Sequence, residues 1–434
     1  MNLLQANTKI SIKTYGCKVN FAESSFIANQ LKSNGYCIAD FNEKADIYII
    51  HSCVLTQSAE KKTRYSINKV HKKNPKAKII VIGCDSQINS GALSKIPAVN
   101  LVLGNESKFK LAEKIQQLLN QEDKIIINDD VHNSPVFNTS WSFSERTRCF
   151  LKVQDGCDNY CNYCIVPYAR GKSRSSNIDE TIKYIYKITE AGFKEIVLTG
   201  INLGDFGKQY NQNITELLTQ ISKNTDIERI RISSLEPYYF NEQLLKLFAN
   251  DTKLMPHFHI PIQSGSDKIL QLMGRKHNTS YINSIVVKIK NHIPDACIAV
   301  DVITSFSSET DDDHKESMDF YNSIPIAYMH VFPFSLRKGT VAYSMKGQVD
   351  AQTKKNRTDE LLALSGKKKK EFYLSQIGKN HNVLIEAALK NGFMYGFTEN
   401  YVKIKIQKNI ELINNIIKAK PIAFIENEEV LMCD

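Results

Sequence analysis

Long apolar runs are missing from this sequence. No window approaches the roughly 18 uninterrupted apolar residues that a membrane helix needs, and Met1 to Ile10 contains no apolar segment of the kind that secretory signals carry. These absences argue against a membrane-spanning or a secreted protein. We therefore expect a cytoplasmic protein with no membrane partner.

Disulfide chemistry is not expected either, although the 434 residues include ten cysteines. Disulfides persist in oxidising compartments and concentrate in small secreted domains. In a long chain without a secretion signal, spaced cysteines more often hold metals or take part in catalysis. The cysteines are therefore the first candidates for functional residues.

Acidic residues are outnumbered, and the resulting positive charge is uneven. The net charge is +10, and Ala59 to Lys78 holds eight Lys or Arg against one Glu. Ala351 to Lys370 holds seven against two acids and ends in Lys367 to Lys370. Such segments suit a polyanionic partner, whereas a solvated helix face is the alternative for either run taken alone.

The densest cysteine pattern is C-x3-C-x2-C, formed by Cys157, Cys161 and Cys164. Three thiolates so close together can reach one metal centre, but neither Cys nor His follows before His257. Structural zinc needs four closed protein ligands, so a zinc loop would have to be completed from elsewhere. A 4Fe–4S cluster held by three thiolates would keep one iron open for another ligand. The pattern favours the cluster.

Strand and helix patterns alternate in the first part of the chain. Strand patterns at Lys9–Tyr15, Asp46–Ile50 and Lys78–Ile82 are separated by helix patterns at Asn20–Lys32 and Gln57–Lys73. The order βαβαβ predicts a parallel, doubly wound α/β sheet.

Single cysteines follow these three strands. Cys17, Cys53 and Cys84 each lie just past a predicted strand. Functional groups gather beyond the carboxyl ends of strands in such sheets, so we expect the three thiols to meet at one edge. A lone cysteine there would most often be a small buried hydrophobe, but three equivalent positions predict a second metal site.

A polar segment, Asp129 to Arg148, contains the only tryptophan, Trp141, and is interpreted as a linker. Six strand patterns follow, with helical patterns between them, and they predict a partial, open (β/α)6 relative of the TIM barrel. The predicted strands are Phe150–Gln154, Glu195–Thr199, Arg229–Ser233, Phe258–Ile262, Ile298–Ile303 and Tyr328–Pro333.

Polar or glycine-rich groups follow five of these strands, where barrel chemistry is found. They include Gly200, Glu236 and Gln263. One such strand end would mean little, since Gly and Asn are common in loops, but the agreement of five predicts a site.

The end of the chain changes character. Val349–Tyr373 reads as a basic connecting helix, weakened near Gly366. Short β-like runs then predict a small all-β barrel, at Val383–Glu386, Gly396–Ile406, Glu411–Ile417 and Pro421–Ile425. If this barrel binds RNA, stacking by Phe397 and Tyr401 must contribute; the alternative is that these rings are core.

Taken together, these features resemble the radical S-adenosylmethionine (SAM) methylthiotransferase family. The resemblance spans the chain, and Tyr163 before the last cysteine is similar to the radical-SAM signature. Gly16-Cys-Lys-Val-Asn20 and Gly396-Phe-Thr-Glu-Asn-Tyr401 resemble the branch that acts on threonylcarbamoyladenosine in tRNA. Three further segments fit the family, namely Arg231–Pro237, His257–Ser266 and His330–Ser335.

The resemblance implies five segments. These are an N-terminal methylthiotransferase domain (1–130), a linker (131–148), a radical-SAM domain (149–348), a connecting helix (349–373) and a TRAM domain (374–434).

The resemblance also implies two 4Fe–4S clusters and SAM as cofactors. Cys157, Cys161 and Cys164 would hold the catalytic cluster that binds and cleaves SAM. A second set, Cys17, Cys53 and Cys84, would hold the cluster that carries the sulfur. Gly200, Glu236 and Gln263 would line the SAM pocket, and Tyr163 would pack on the SAM adenine or simply pack in its loop.

The implied reaction is methylthiolation of carbon 2 of threonylcarbamoyladenosine beside the anticodon. Its partners would be the anticodon stem-loop of tRNA, SAM and an electron donor such as flavodoxin or ferredoxin. Isopentenyladenosine or a ribosomal protein side chain is the alternative target, and a non-catalytic iron–sulfur electron carrier is a more remote reading.

The sequence departs from the family pattern in one loop. It has Ser305-Phe-Ser-Ser-Glu-Thr310 where members of the family usually carry Gly-Phe-Pro-Gly-Glu-Thr. The loss of two glycines puts the geometry of this loop in doubt, because glycine permits backbone angles that serine resists.

Overall fold

A parallel sheet begins the fold. The computed structural model describes residues 8–120, 124–143 and 147–433. Its first elements are β1 (Lys9–Thr14), α1 (Lys18–Ser33), β2 (Cys37–Ala39), β3 (Ile47–Ser52), α2 (Gln57–Lys73), β4 (Lys78–Gly83), α3 (Cys84–Ile88), α4 (Ser90–Ser94), β5 (Val99–Leu103), α5 (Leu111–Asn120) and β6 (Ile125–Ile127).

The sheet order is β2-β1-β3-β4-β5-β6 with parallel pairing throughout. Helices α1 and α5 pack on one face, and α2 packs on the other. Covered on both faces, β4 is a continuous apolar run in which Ile79 to Ile82 are fully buried. The predicted doubly wound sheet is confirmed.

The second part contains a partial barrel. Its elements are β7 (Ser140–Trp141), β8 (Arg148–Lys152), β9 (Gln154–Asp155), α6 (Val166–Arg170), β10 (Arg174–Ser175), α7 (Ile178–Glu190), β11 (Glu195–Thr199), α8 (Ile214–Asn224), β12 (Arg229–Ile232), α9 (Glu242–Asn250), β13 (His257–Gln263), α10 (Asp267–Leu272), α11 (Thr279–His292), β14 (Cys297–Thr304), α12 (Asp311–Ser323) and β15 (Tyr328–Pro333).

All six predicted barrel strands are present. Strands β8, β11 and β12 pair in parallel, as do β13, β14 and β15. The two groups are joined where the backbone N–H of Leu235 donates to the carbonyl of His259. The segment predicted as a linker contributes β7, which pairs antiparallel with β8 and buries Trp141 against Phe143 and Phe193.

The C-terminal part consists of α13 (Ala351–Leu374), β16 (His381–Lys390), β17 (Phe393–Thr398), β18 (Lys403–Gln407), β19 (Ile416–Ala419), β20 (Pro421–Ile425) and β21 (Val430–Cys433). The strands form one mostly antiparallel sheet in the order β19-β16-β17-β18-β21-β20. One detail of the prediction is wrong, because Glu411–Ile417 is mainly a 3-10 turn and a loop that precede β19. The connecting helix α13 runs through Gly366 without a break.

The rings of Phe397 and Tyr401 are not free for RNA stacking. Tyr401 stacks on Phe397 and on His257 of β13, with centroid distances of 4.7 and 4.3 Å. Arg229 and Arg231 of β12 donate to carbonyls of the turn after β17. The C-terminal sheet is therefore docked on the barrel through these rings, which confirms the packing alternative.

Lysines of the run Lys367–Lys370 are also engaged within the protein. Lys368 donates to the carbonyls of Asn322 and Ile324, at 3.0 and 2.9 Å. Lys369 pairs with Glu429, and Lys370 pairs with Glu426. These lysines therefore attach the connecting helix α13 to the barrel and to the C-terminal sheet domain.

Candidate active site

The three single cysteines lie at the carboxyl edge of the N-terminal sheet. Cys17 caps α1 after β1, Cys53 follows β3, and Cys84 opens α3 after β4. Gly16, at φ +110°, brings the first loop so close to Cys53 that a Cβ there would lie 2.9 Å from the Cys53 Cβ. Gly83 has a φ of +100°, and a Cβ at this position would lie only 2.5 Å from Cδ2 of His51, so no larger residue fits there.

The second set of cysteines lies on the loop between β9 and α6. Cys157 is anchored by its backbone N–H, which donates to the Gly171 carbonyl at 3.1 Å. Asn162 fastens the loop to the barrel, because its side chain donates to the Leu272 carbonyl at 2.9 Å. The three side chains are half-buried, so part of each remains exposed while the surrounding protein shields the rest from water.

Burial controls the protonation of these thiols. It raises the pKa of Cys53, Cys157 and Cys164 to about 12. Burial also raises the pKa of Cys17, although Arg170 works in the opposite direction. Uncoordinated, these thiols are protonated at neutral pH, and a metal centre would supply the positive charge that stabilises the thiolates.

Both sets reach one cavity of about 490 Å³ between the N-terminal sheet and the barrel. Cys17 and Cys53 line it from one side, and Tyr163, Cys164 and Gln263 line it from the other. The cavity thus brings together five of the ten residues singled out from the sequence.

Cys84 and Cys161 lie next to residues of this cavity. Cys84 packs in one apolar cluster with Ile165, the neighbour of Cys164. Cys161 accepts a hydrogen bond from Nη1 of Arg275 at 3.4 Å. Arg275 also forms a two-point ion pair with Glu236. Sequence reasoning missed Arg275, since it lies 114 residues from Cys161 and no motif marks it.

The strand-end residues occupy different positions. Glu236 borders the cysteine loop through Arg275, and Gln263, at φ +72°, faces the cavity. Gly200 lies against Gln154, because a Cβ on Gly200 would stand 2.8 Å from the Gln154 Oε1. Tyr163 packs edge-on against Phe306 with the centroids 6.4 Å apart, which fits loop packing.

A buried ion network joins the two halves of the site. Glu23 of α1 accepts from Lys108, Lys152 and Arg170, and Arg170 also pairs with Asp155. All five side chains are buried. Burial alone would raise the pKa of Glu23, but the three cations outweigh it and hold that pKa well below its ordinary value.

The chemistry of the donors suits an iron–sulfur cluster, because each of the two sets offers three cysteine thiols, the ligands that such clusters take. In the part of the chain that the structure describes, no three His, Cys, Asp or Glu side chains are grouped closely enough to hold a single metal ion. All ten cysteines are free.

The basic helix α2 starts at the cavity. Leu55, Thr56 and Ala59, at and just before its first turn, line the cavity wall. Lys61 and Lys62 follow and are exposed. Among the described residues, none of the helices combines the length and apolar character that a membrane crossing requires.

Two family models match the chain. Residues 9–104 match uncharacterized protein family UPF0004, and residues 151–321 match the radical SAM superfamily. Among solved structures, the fold is similar to the radical S-adenosylmethionine methyltransferase TsrM from Kitasatospora setae, with a TM-score of 0.54 and 9% identity. That match covers 77% of this chain and 74% of TsrM, which was solved with cobalamin and a 4Fe-4S cluster bound.

Curated relatives extend over nearly the whole chain. The threonylcarbamoyladenosine tRNA methylthiotransferase MtaB of Aquifex aeolicus is 36% identical over 92% of this chain and 96% of the relative. The tRNA-2-methylthio-N(6)-dimethylallyladenosine synthase of Bacillus pumilus is 31% identical over 95% of this chain and 83% of the relative. With these full-length relatives and the radical-SAM barrel, the chain belongs to the MtaB-like radical-SAM methylthiotransferases.

Proposed function

We propose that this enzyme methylthiolates carbon 2 of threonylcarbamoyladenosine beside the anticodon of tRNA. The observation that carries the proposal is the shared cavity, in which Cys17 and Cys53 face Cys164. A substrate base in that cavity would lie within reach of both cysteine sets. Higher identity to the MtaB relative than to the dimethylallyladenosine synthase favours the threonylcarbamoyl target.

The two sets would have separate roles. Cys157, Cys161 and Cys164 would hold a 4Fe–4S cluster, and Cys17, Cys53 and Cys84 a second one. When bound, the first cluster supplies the electron that cleaves SAM, and the second holds the sulfur to be inserted. Arg275 would donate to the Cys161 thiolate and stabilise its negative charge.

The SAM pocket would lie where the barrel strands end above the cysteine loop. Gly200, Glu236 and Gln263 are the residues proposed to line it, with Tyr163 at its edge. Glu236 is held by Arg275, so its carboxylate is oriented before SAM arrives. A flavodoxin or ferredoxin would approach the exposed side of this loop, where Lys276 supplies positive charge.

Helix α2 would guide the tRNA backbone to the cavity. Changing Lys61, Lys62 and Arg64 to Ala should weaken tRNA binding and flatten its salt dependence, by about 0.7–0.9 log units of slope per lost phosphate contact. Filter binding over a range of salt concentrations measures both effects. An unchanged slope would mean that α2 does not touch the backbone.

A matched control uses lysines on the outer barrel helices α7, α8 and α9. Their replacement by Ala should leave the slope unchanged, because these helices lie away from the cavity. The control residues are Lys187, Lys223 and Lys246.

The deciding experiment compares tRNA digests from cells with and without the gene. The expected result is loss of the methylthio derivative of threonylcarbamoyladenosine alone. Loss of methylthiolated isopentenyladenosine, or of a methylthiolated ribosomal protein residue, would overturn the proposed target. Release of 5′-deoxyadenosine under dithionite separates this enzyme from a non-catalytic electron carrier.

A further inference from the structure

Lys18 occupies an unusual position. It is the first residue of α1 and follows Cys17, which lines the cavity. Its half-buried ammonium lies among groups of the barrel interior, close enough to interact electrostatically with Tyr401, Arg231 and Asp301. The side chain therefore reaches from the N-terminal sheet into the barrel.

This cation has no direct partner, although the carboxylate of Asp301 lies within electrostatic range. Among the described residues, Lys18 makes no hydrogen bond and no ion pair within 4.0 Å. By contrast, Arg148 nearby pairs with Glu386 at 3.0 Å, and Arg231 pairs with Glu195 at 3.0 Å. An unpaired ammonium in a protein interior is costly, so an anion that binds there would be favoured.

The neighbouring acid and the other cation of the cavity are already engaged. Asp301 accepts a hydrogen bond from His259 at 2.7 Å, and both residues line the cavity. Arg337, also in the cavity wall, pairs with Glu60 at 2.7 Å and donates to Ser335. Within the described part of the chain, Lys18 is therefore a cation next to a cavity-lining residue whose ammonium makes no direct contact with an acid, and it can receive an anionic ligand.

The substrate proposed above carries such an anion. A threonylcarbamoyl group ends in a carboxylate, whereas an isopentenyl group is wholly apolar. We infer that Lys18 binds the carboxylate of the threonylcarbamoyl group and thereby selects adenines with an acidic substituent. This inference rests on the proposed function and identifies the residue that sets its specificity.

The test uses anticodon stem-loop RNAs whose modified adenine carries either the free threonyl carboxylate or its methyl ester. The unmodified enzyme should bind the free acid about 10- to 100-fold more tightly, as expected for a hydrogen bond to a charged group. In Lys18→Gln this ratio should fall to near 1, with ester binding unchanged. Lys18→Arg keeps the charge and should keep most of the preference.

A control on the same helix is Lys32→Gln, since Lys32 is exposed and points away from the barrel core. It should retain the full preference. Iron content and the visible spectrum of Lys18→Gln should match those of the unmodified enzyme, which shows that the neighbouring Cys17 site is intact.

The outcomes separate the two proposals. If the unmodified enzyme prefers the free acid and Lys18→Gln prefers it equally, the assignment of Lys18 is overturned and the proposed function stands. If the unmodified enzyme neither methylthiolates the free-acid RNA nor prefers it to the ester, the proposed function fails and the inference with it.

Discussion

Replacing Ser305 by glycine should stabilise this protein. Ser305 follows β14 at φ +59°, in the left-handed region that glycine tolerates and other residues resist. Its hydroxyl is buried and has no hydrogen-bond partner in the described structure. The backbone of this loop therefore has a glycine-like conformation at a position occupied by serine.

The magnitude follows from four contributions. Glycine removes the strain of the left-handed conformation, which should raise the free energy of unfolding by about 1–2 kcal/mol. Removing the unsatisfied buried hydroxyl should raise it by about 1 kcal/mol more. Glycine costs about 0.5–1 kcal/mol in unfolded-state entropy, and the lost methylene about 0.8 kcal/mol. The net gain for Ser305→Gly is about 1 kcal/mol.

Ser307 provides a matched control in the same loop. It is equally buried, but its φ is not positive and its hydroxyl accepts a hydrogen bond from Gln348 at 2.7 Å. Ser307→Gly relieves no strain, loses that bond and the same methylene, and adds the same unfolded-state entropy, so it should destabilise by about 2–3 kcal/mol. The same chemical change should therefore have opposite signs at positions two residues apart.

Thermal unfolding without SAM measures the difference. About 3–4 kcal/mol between Ser305→Gly and Ser307→Gly corresponds to about 6–16 °C in midpoint for a barrel of this size. If both variants lose stability by the same amount, the loop is not strained at Ser305 and the reasoning is refuted.

Three further expectations concern the metal sites and the network between them. Anaerobically reconstituted protein should contain about eight irons per chain; a count of four would contradict two clusters. Cys161→Ala should stop SAM cleavage, whereas Cys53→Ala should stop methylthiolation yet keep some 5′-deoxyadenosine release; loss of both with the first cluster intact would contradict separate roles. Glu23→Gln should cost about 3–5 kcal/mol in denaturant unfolding, because buried cations lose their partner, whereas Glu180→Gln, which removes the exposed ion pair with Lys183, should cost far less. Since the Glu23 pKa is depressed in the folded state, this stabilisation is present above the ordinary carboxyl pKa and is lost as pH falls through the folded value.

Much of the fold could be predicted, because its strands carry strong local signals. The buried strands of the N-terminal sheet are continuous apolar runs, and the barrel strands recur with helices between them. The missed strands were short or at the edge of a sheet, such as β2 at Cys37–Ala39 and β21 at Val430–Cys433. The helix α13 continues through Gly366, and this glycine lies on an open side of the helix where a Cβ would meet nothing within 4 Å.

The cysteines of the site were predictable because spacing and strand-end position are visible in sequence. Residues that act through distant partners were not. Arg275 reaches Cys161 only after the barrel closes, and Tyr401 stacks on His257 only after the C-terminal sheet docks. A polar or aromatic residue in a loop gives no sign of the partner that the fold will bring to it.

The ion network around Glu23 restricts how the enzyme can meet its substrate. Glu23 belongs to the N-terminal sheet domain, whereas Lys152 and Arg170 belong to the barrel. Separating the two domains would leave these buried charges unpaired, at a cost of several kcal/mol in free energy for each charge. The distance between the two sets of cysteines is thereby fixed, and a closing hinge at this junction is disfavoured. Under the proposed function, the target adenine would therefore have to leave its stack in the anticodon loop and enter the cavity between two domains that are already in place.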